Sequence, residues 1–464
     1  MKISVIGCGH LGATHAACMA SVGHEVLGVD IDNDKVALLN SGKGWFHEPD
    51  LDPMLVETID AGQLRFTTDF AAAAEFASVH FIGVATPGQE NGSYDLSQLY
   101  AAVRALVPHL RGEHLIIGKS TVPPGTAAQL QALVHQLLAP GQAHVEVVWN
   151  PEFLREGYAV QDTLKPDRIV VGAARSSATE IVREIYRPLT DSGIPLILTD
   201  LSTAELAKGA ANAFLAMKIS FINAMADICA ATGGDTEALA LSLGMDPRIG
   251  MAFLRAGVGY GGACLPKDVR GLATFAHGLG ARNAVTLLTA VDEINMARAG
   301  QTVWLVQDAV GDMTGKRVAV WGAAFKAGTD DIRDSRALLV ADQLYSLGAT
   351  VTVYDPMGSG NALVSYPELG YADSAVSAAA DADVIVVVTA WPEFAQTDPA
   401  EIAKATRASV VVDACQGIRA ADWLDAGWHV SSLTSSKVSA PAQPALKRCE
   451  TPVGSSAGAE PFVG

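Results

Sequence analysis

Short β-branched apolar runs alternate with stretches of helical spacing along most of the chain, which is the pattern of a parallel α/β protein. Lys2 to Ile6, Glu25 to Asp30, Val79 to Val84, Leu115 to Gly118, Val145 to Trp149 and Arg168 to Gly172 read as strands. Ala13 to Val22 reads as the first helix, and Asp95-Leu96-Ser97 as the start of another. A long helix is expected from Ser202, because Ser202 and Glu205 have the spacing of a capping box. The run Ala204 to Ala231 contains no proline and one glycine, Gly209, and stops at Gly233-Gly234. At 1.5 Å per residue such a helix is about 45 Å long, enough to link two domains. Its apolar positions point to burial on several sides, including against a partner subunit. After Gly311 a second α/β unit begins, with strands at Arg317 to Trp321, Val351 to Asp355, Val384 to Thr389 and Ser409 to Asp413. The expected class is α/β, with two doubly wound domains joined by a long central helix. The expected boundaries are 1–198, 199–300 and 301–434, followed by a Ser-, Ala- and Pro-rich disordered tail at 435–464.

Composition narrows this picture. The 464 residues suffice for two or three domains, and 49% hydrophobic with 18% charged residues suits a soluble protein. No apolar run reaches the ~18 residues of a membrane span. The N-terminus runs straight into a strand, so no signal peptide is expected. Six scattered cysteines without a CxxC pair speak against a disulfide framework or a metal site, and for reduced thiols in a cytoplasm. A net charge of −18 makes nucleic acid an unsuitable partner, and no membrane partner is expected.

The glycines supply the first chemistry. Gly7-Cys8-Gly9-His10-Leu11-Gly12 follows the first strand and opens the first helix. The first glycine makes the turn, the second admits a pyrophosphate, and the third lets helix pack on strand. The phosphates then sit at the helix N-terminus. Asp30 ends the next strand, 18 residues after Gly12, where a ribose-binding acid belongs. A Rossmann dinucleotide site is expected here. The carboxylate favours NAD, and nearby Lys35 argues weakly for NADP. Thr86, Ser120 and Thr121 lie just past strands, at the edge where ligands bind in open sheets, although each reads equally well as a helix cap.

Other candidates are more ambiguous by themselves. Glu152 and Glu156 follow a strand four residues apart, and on a helical turn they share a face. They read either as solvated surface or as a base near a ligand. Lys208 and Asn212 have the same spacing in an Ala-rich turn of the long helix, so Lys208 is either a surface charge or a group aimed between domains. Arg248 and Arg255 add positive charge ahead of Gly259-Tyr260-Gly261-Gly262-Ala263-Cys264-Leu265-Pro266-Lys267-Asp268. Those glycines permit close approach or positive φ. A lysine nearby lowers a thiol's pKa, and an aspartate can handle protons. The commoner reading of such a cysteine is a small buried hydrophobe. The second α/β unit has a degenerate loop, Gly322-Ala323-Ala324-Phe325-Lys326, suited to a mononucleotide.

Taken together, Gly7-x-Gly9-x-x-Gly12, Ser120-Thr121-Val122-Pro123, Asn150-Pro151-Glu152-Phe153-Leu154-x-Glu156-Gly157, Ala204-Glu205-Leu206-x-Lys208 with Asn212, Gly259 to Asp268, and Phe325-Lys326 with Arg333 resemble the UDP-glucose/GDP-mannose dehydrogenase family over residues 1 to 430. The resemblance implies four-electron oxidation of a nucleotide-linked sugar alcohol to a carboxylate, with two NAD reduced. It casts Cys264 as the nucleophile that carries a thiohemiacetal and then a thioester. It casts Lys208 and Asn212 as oxyanion supports, Glu152 and Asp268 as proton handlers, and Thr121 as the residue that positions water. It places Phe153, Leu154, Glu156, Lys208, Asn212, Phe253, Leu254, Arg255, Tyr260, Gly261, Phe325 and Lys326 at the sugar nucleotide. Gly7, Gly9, His10, Leu11, Gly12, Asp30, Lys35, Thr86, Ser120, Thr121, Glu156, Lys267 and Arg333 fall to the cofactor. Arg248 reaches a neighbouring subunit's site by the same analogy, so a homodimer or higher homo-oligomer is expected.

UDP-glucose is the expected substrate, with GDP-mannose or another nucleotide sugar as the alternative. A two-electron hydroxyacid dehydrogenase using Lys208 is the alternative of another class, and a binding protein of the same fold is a third. The chain departs from the family at one point. Where an arginine usually follows the strand-end aspartate, it reads Asp413-Ala414-Cys415-Gln416-Gly417, which bears on substrate affinity or identity, and Arg419 is a nearby substitute.

Overall fold

A computed structural model of the chain describes residues 1–434, and the expectation for the tail lies outside them. Strands β1 (Lys2–Ile6), β2 (Glu25–Val29), β3 (Leu64–Thr67), β4 (Val79–Ile82), β5 (Gly112–Gly118), β6 (Ala143–Trp149), β7 (Ile169–Gly172) and β8 (Leu196–Thr199) form one sheet in the order β3-β2-β1-β4-β5-β6-β7-β8. All its pairings are parallel except β6 with β7. Strands β9 (Arg317–Trp321), β10 (Thr350–Tyr354), β11 (Gly370–Tyr371), β12 (Val384–Val387), β13 (Val410–Asp413) and β14 (His429–Ser432) form a second, wholly parallel sheet, β11-β10-β9-β12-β13-β14. In both, the order reverses beside the first strand, the switch point where doubly wound sheets bind nucleotides.

Continuous apolar runs make these strands because helices cover both faces. Successive side chains point to opposite sides. Val5 and Ile117 therefore join one core cluster while Ile6 and Ile116 join the other. Val318 and Val320 part in the same way from Ala319 and Trp321 in the second sheet.

The linking helix spans Leu201–Thr232 and ends where Gly233 takes φ +76°. Its start corrects the expected capping box. Asp200 is the cap, accepting from the Thr203 N–H at 2.9 Å. Glu205 is buried and turned away from its own helix end, accepting instead from the N–H groups of Gly125 and Ala127 at the start of helix Thr126–Leu137. The spacing was right for a capping box, but the unsatisfied donors of a neighbouring helix took the carboxylate. By length and composition the linking helix also passes for a membrane span, which counting unbroken apolar runs overlooks. Its Ala204, Lys208, Asn212, Ala216 and Ser220 are buried against protein. Helices Leu265–Gly278 and Arg282–Val310 pack on it. The loops after β1, β4, β5 and β6 emerge at the carboxyl edge, facing the start of Leu265–Gly278 and the loop after β9.

Candidate active site

At the cofactor end the three glycines are inequivalent. Gly7 has φ +86°, which an L side chain rarely adopts. A Cβ on Gly12 stands 1.8 Å from the Gly7 carbonyl oxygen, so the helix packs this close only with glycine there. A Cβ on Gly9 meets no protein atom within 4 Å. That open face lies at the N-terminus of helix His10–Ser21, where a phosphate can approach the backbone. The Asp30 carboxylate accepts from the Cys8 and Asp32 N–H groups at 2.8 and 3.1 Å, beside that face. Lys35 lies over the Trp45 ring at 4.6 Å. These features fit NAD. We expect Gly9→Ala to leave the Tm unchanged and weaken NADH binding at least tenfold, and Gly12→Ala to lower the Tm. Fluorescence titration and thermal melting separate the two.

His10 and Leu11 open the same helix, and His10 Nε2 meets Glu48 at 2.8 Å. Glu48 also accepts from the Gly157 and Ala159 N–H groups, tying the cofactor loop to the segment after β6. The hydroxyls at the next two strand ends do not cap helices. Thr86 donates to the Thr121 carbonyl and Ser120 to the Val84 carbonyl, which locks the loops after β4 and β5 together.

Cys264 caps helix Leu265–Gly278, with Pro266 just inside, where a missing N–H costs nothing. It is solvent-exposed, so the bland reading as a buried hydrophobe fails. The lysine acting on it is Lys208 rather than Lys267. Lys267 is held 2.7 Å from Asp268, over the Tyr94 ring and against Gly88. Lys208 is buried and pairs with Glu152 at 3.0 Å. Burial pulls the Lys208 pKa down, but Glu152, then Cys264 and Asp268, outweigh it, so the ammonium is held protonated. Asp268, fully buried one turn below Cys264, accepts from Asn212 at 2.6 Å and from Lys267.

The thiol is pushed up to about 12 by the protein crowded around the cleft, with Lys208 pulling down and Glu152, Asp268 and Glu156 pushing up. Burial in the cleft is the largest cause, Lys208 opposes it, and the three carboxylates add to it. In the free protein the group is a neutral thiol.

Glu152 and Glu156 do not share a helical face, because residues 151–157 form an irregular loop with Gly157 at φ +81°. Glu152 turns to Lys208, while Glu156 meets Arg333 at 3.3 Å. Burial and Asp331 push the Glu156 carboxyl up, against Arg333. Arg333 also pairs with Asp331. Lys326 donates to the Glu156 carbonyl at 2.7 Å, so the second domain closes the cleft over this loop. Phe153 lies between Arg168 and Lys208, 3.7 and 5.7 Å from its centroid, and Leu154 follows it.

The glycines before Cys264 face protein. A Cβ on Gly261 stands 2.4 Å from the Asp334 carbonyl oxygen, and one on Gly262 stands 2.8 Å from the Phe325 ring. They let the loop after β9 press on the thiol loop, beside buried Tyr260. Leu254, Arg255, Met251 and Gln416 line a cavity of about 430 Å³. Phe253, with φ +67°, lies between Met251 and Leu254. A larger hollow of about 680 Å³, along helix Ser176–Thr190, holds none of these groups.

Arg419 pairs with Asp422 three residues on, at 2.9 Å. Arg255 comes across from the opposite wall, donating to the Gln416 carbonyl and, at 3.2 Å, to its side chain. Burial pushes the Asp413 carboxyl up, while the N–H groups of Gly417, Ile418 and Cys415, and then Arg255, pull it down. In the second domain Asp355 fills the nest of the degenerate loop, accepting from Ala323, Ala324 and Trp391. Arg248 stands apart, paired with Asp246 and exposed.

Sequence reasoning missed Glu48, Asp331 and Lys119. Lys119 is buried beside Asn150 at 3.0 Å, and burial pushes it down to about 8 against the pull of Glu152. Its signal was available as a lysine set between the apolar run of β5 and Ser120.

The chain matches the UDP-glucose/GDP-mannose dehydrogenase family in all three of its parts: the NAD binding domain over residues 1–190, the central domain over 202–297 and the UDP binding domain over 319–420. It is 41% identical to a UDP-glucose 6-dehydrogenase of Rhizobium meliloti, over 89% of this chain and 94% of that one. It is 39% identical to one from Pseudomonas aeruginosa, over 89% and 93%. The solved UDP-glucose dehydrogenase of Pyrobaculum islandicum superposes with a TM-score of 0.86 at 33% identity, covering 94% of this chain and 98% of that one. The chain therefore belongs to the UDP-glucose/GDP-mannose dehydrogenase family, NAD-dependent oxidoreductases.

Proposed function

We propose that this enzyme oxidises the primary alcohol of UDP-glucose to the carboxylate of UDP-glucuronate, through a covalent adduct on Cys264. The observation that carries this is the convergence on one thiol of two polar pairs, Lys208–Glu152 and Asn212–Asp268. NAD held by the first domain would supply the hydride acceptor, one molecule for each of two successive oxidations. The carboxylates Glu152 and Asp268 take the alcohol proton, while the Lys208 ammonium and the Asn212 amide face the developing oxyanion. The Cys264 sulfur then bonds to the aldehyde carbon as its proton passes to a carboxylate. The resulting thiohemiacetal holds the aldehyde in place between the two oxidations. Its oxidation gives a thioester, and water positioned by Thr121 cleaves the C–S bond, returning the thiol and releasing the acid.

The labour divides in outline by part, with Lys267 and Arg333 reaching the cofactor and Phe153 and Leu154 reaching the sugar across the boundaries. Residues 1–198 hold the cofactor, 199–300 carry Lys208 and Cys264, and 301–434 hold the nucleotide. Gly7, Gly9, Gly12, Asp30, Lys267 and Arg333 would hold NAD. Phe153, Leu154, Phe253, Leu254, Arg255, Tyr260, Phe325 and Lys326 would hold the nucleotide sugar. Phe214, Phe221 and Ile228 recur every seven residues, exposed along the linking helix, and support a homodimer covering that stripe. Arg248 is then free to reach the partner's site. Scattered thiols suit a cytoplasmic enzyme.

A panel of UDP- and GDP-sugars with NAD or NADP, followed by absorbance of the reduced cofactor, tests this reading. UDP-glucose with NAD should be fastest. Equal or faster turnover of GDP-mannose would overturn the substrate assignment.

A further inference from the structure

The thiol loop is fastened from below by three buried side chains that none of the roles above uses. Asn295, fully buried on helix Arg282–Val310, accepts from the Tyr260 N–H at 2.7 Å and donates to the Tyr260 carbonyl at 2.9 Å. One carboxamide thus reads both polar groups of a single residue, as a neighbouring strand does, and needs both a donor and an acceptor to do so. The grip requires Gly259, where φ is +102° and a Cβ would stand 2.2 Å from Asn295 Oδ1.

Three residues earlier the pattern repeats. Gly257 donates to Asn223 Oδ1 at 2.8 Å, and its carbonyl accepts from Arg298 Nε at 2.9 Å. Asn223 lies on the linking helix that also carries Lys208 and Asn212. Arg298 is anchored in turn by Asp227 and Gln301. Burying an amide and a guanidinium is costly unless the contacts return it. Here Asn295, Asn223 and the Nε of Arg298 all bond to the backbone of the segment leading into Cys264. Two long helices therefore set where the thiol stands relative to Lys208 and Asn212.

We propose that Asn295 is a positioning residue for the Cys264 thiol, with Asn223 and Arg298 holding the same loop at Gly257. The proposal rests on the reading of Cys264 as the nucleophile. Misplacing a reacting group by about 1 Å can cost on the order of 10²-fold in rate. Asn295→Ala should therefore lower kcat about ten- to a hundredfold at an NAD KM within about twofold of the parent. It should also change the reactivity of the thiol itself. Freed from the crowded cleft, Cys264 should be alkylated by iodoacetamide several-fold faster at pH 8, with its alkylation midpoint moved down towards the ordinary thiol value, read on the Cys264 peptide by mass spectrometry. Asn295→Asp keeps the acceptor for the Tyr260 N–H and should recover part of kcat.

A folded Asn295→Ala enzyme with kcat within twofold of the parent and an unchanged alkylation profile would overturn the proposal. So would a lower Tm as its sole effect. Should Asn295→Ala fail to fold, Asn223→Ala removes a single bond to the loop and should show the same two changes at three- to tenfold size, and parental values in that variant would overturn the proposal equally. Cys264→Ser, assayed alongside, separates the two readings. Full activity there sinks the nucleophile, while the alkylation profile of Asn295→Ala still reports on the loop.

Discussion

Cys264→Ser is expected to lower steady-state turnover by at least about 10³-fold, with an unchanged Tm. The side chain sits at an exposed helix start, where a hydroxyl is close to a thiol in size. Its loss is therefore chemical. A serine hydroxyl ionises far less readily than a thiol, and an oxygen ester hands its acyl group to water less readily than a thioester. The parent thiol is already pushed up to about 12, so it depends on Lys208 and on proton transfer during attack. An alcohol in its place has no margin. The first oxidation does not need the sulfur, so at most one equivalent of NADH per site should appear rapidly before the reaction stalls. Stopped-flow absorbance distinguishes such a burst from slow steady turnover. Near-parental turnover would remove the covalent step from the mechanism.

Lys208→Ala should cost about 10²–10³-fold in kcat, the loss typical of a deleted oxyanion donor. Three consequences act together. The positive charge facing the oxyanion disappears, Glu152 loses its 3.0 Å partner, and the thiol loses the group that pulls its pKa down. Because the Lys208 ammonium is held protonated by its carboxylate neighbours, the parent should keep this contribution throughout the neutral pH range. Arginine should not rescue the variant, since Lys208 is buried and aimed at Glu152, and a planar guanidinium does not reproduce a compact ammonium there. The split between constants is the check. A loss in kcat with little change in KM for the sugar nucleotide marks an interaction made in the transition state. A loss confined to KM would make Lys208 a binding residue.

The sheets were legible in the sequence because buried parallel strands read as unbroken apolar runs between glycines, and β1 and β9 show this most clearly. The dinucleotide loop was legible because each of Gly7, Gly9 and Gly12 answers to a separate steric demand. Contacts between distant elements were not. Ser202 and Glu205 had capping-box spacing, yet Asp200 took the helix and Glu205 took a helix some eighty residues away. Lys267 was close to Cys264 in sequence, but Asp268 captured it, and the charge that reaches the thiol comes from Lys208 on the linking helix. Near Cys415 the sequence offered Arg419, which pairs with Asp422, while Arg255, from 161 residues earlier, bonds to Gln416. Asn295 carries no local signal at all, since its meaning lies in the backbone of Tyr260, 35 positions away.

The covalent four-electron route is tested most directly by counting NADH formed per UDP-glucose consumed, with the sugar limiting and NAD in excess. The account predicts two NADH for each sugar and no free aldehyde. One NADH per sugar, with an aldehyde or ketone accumulating, would contradict it.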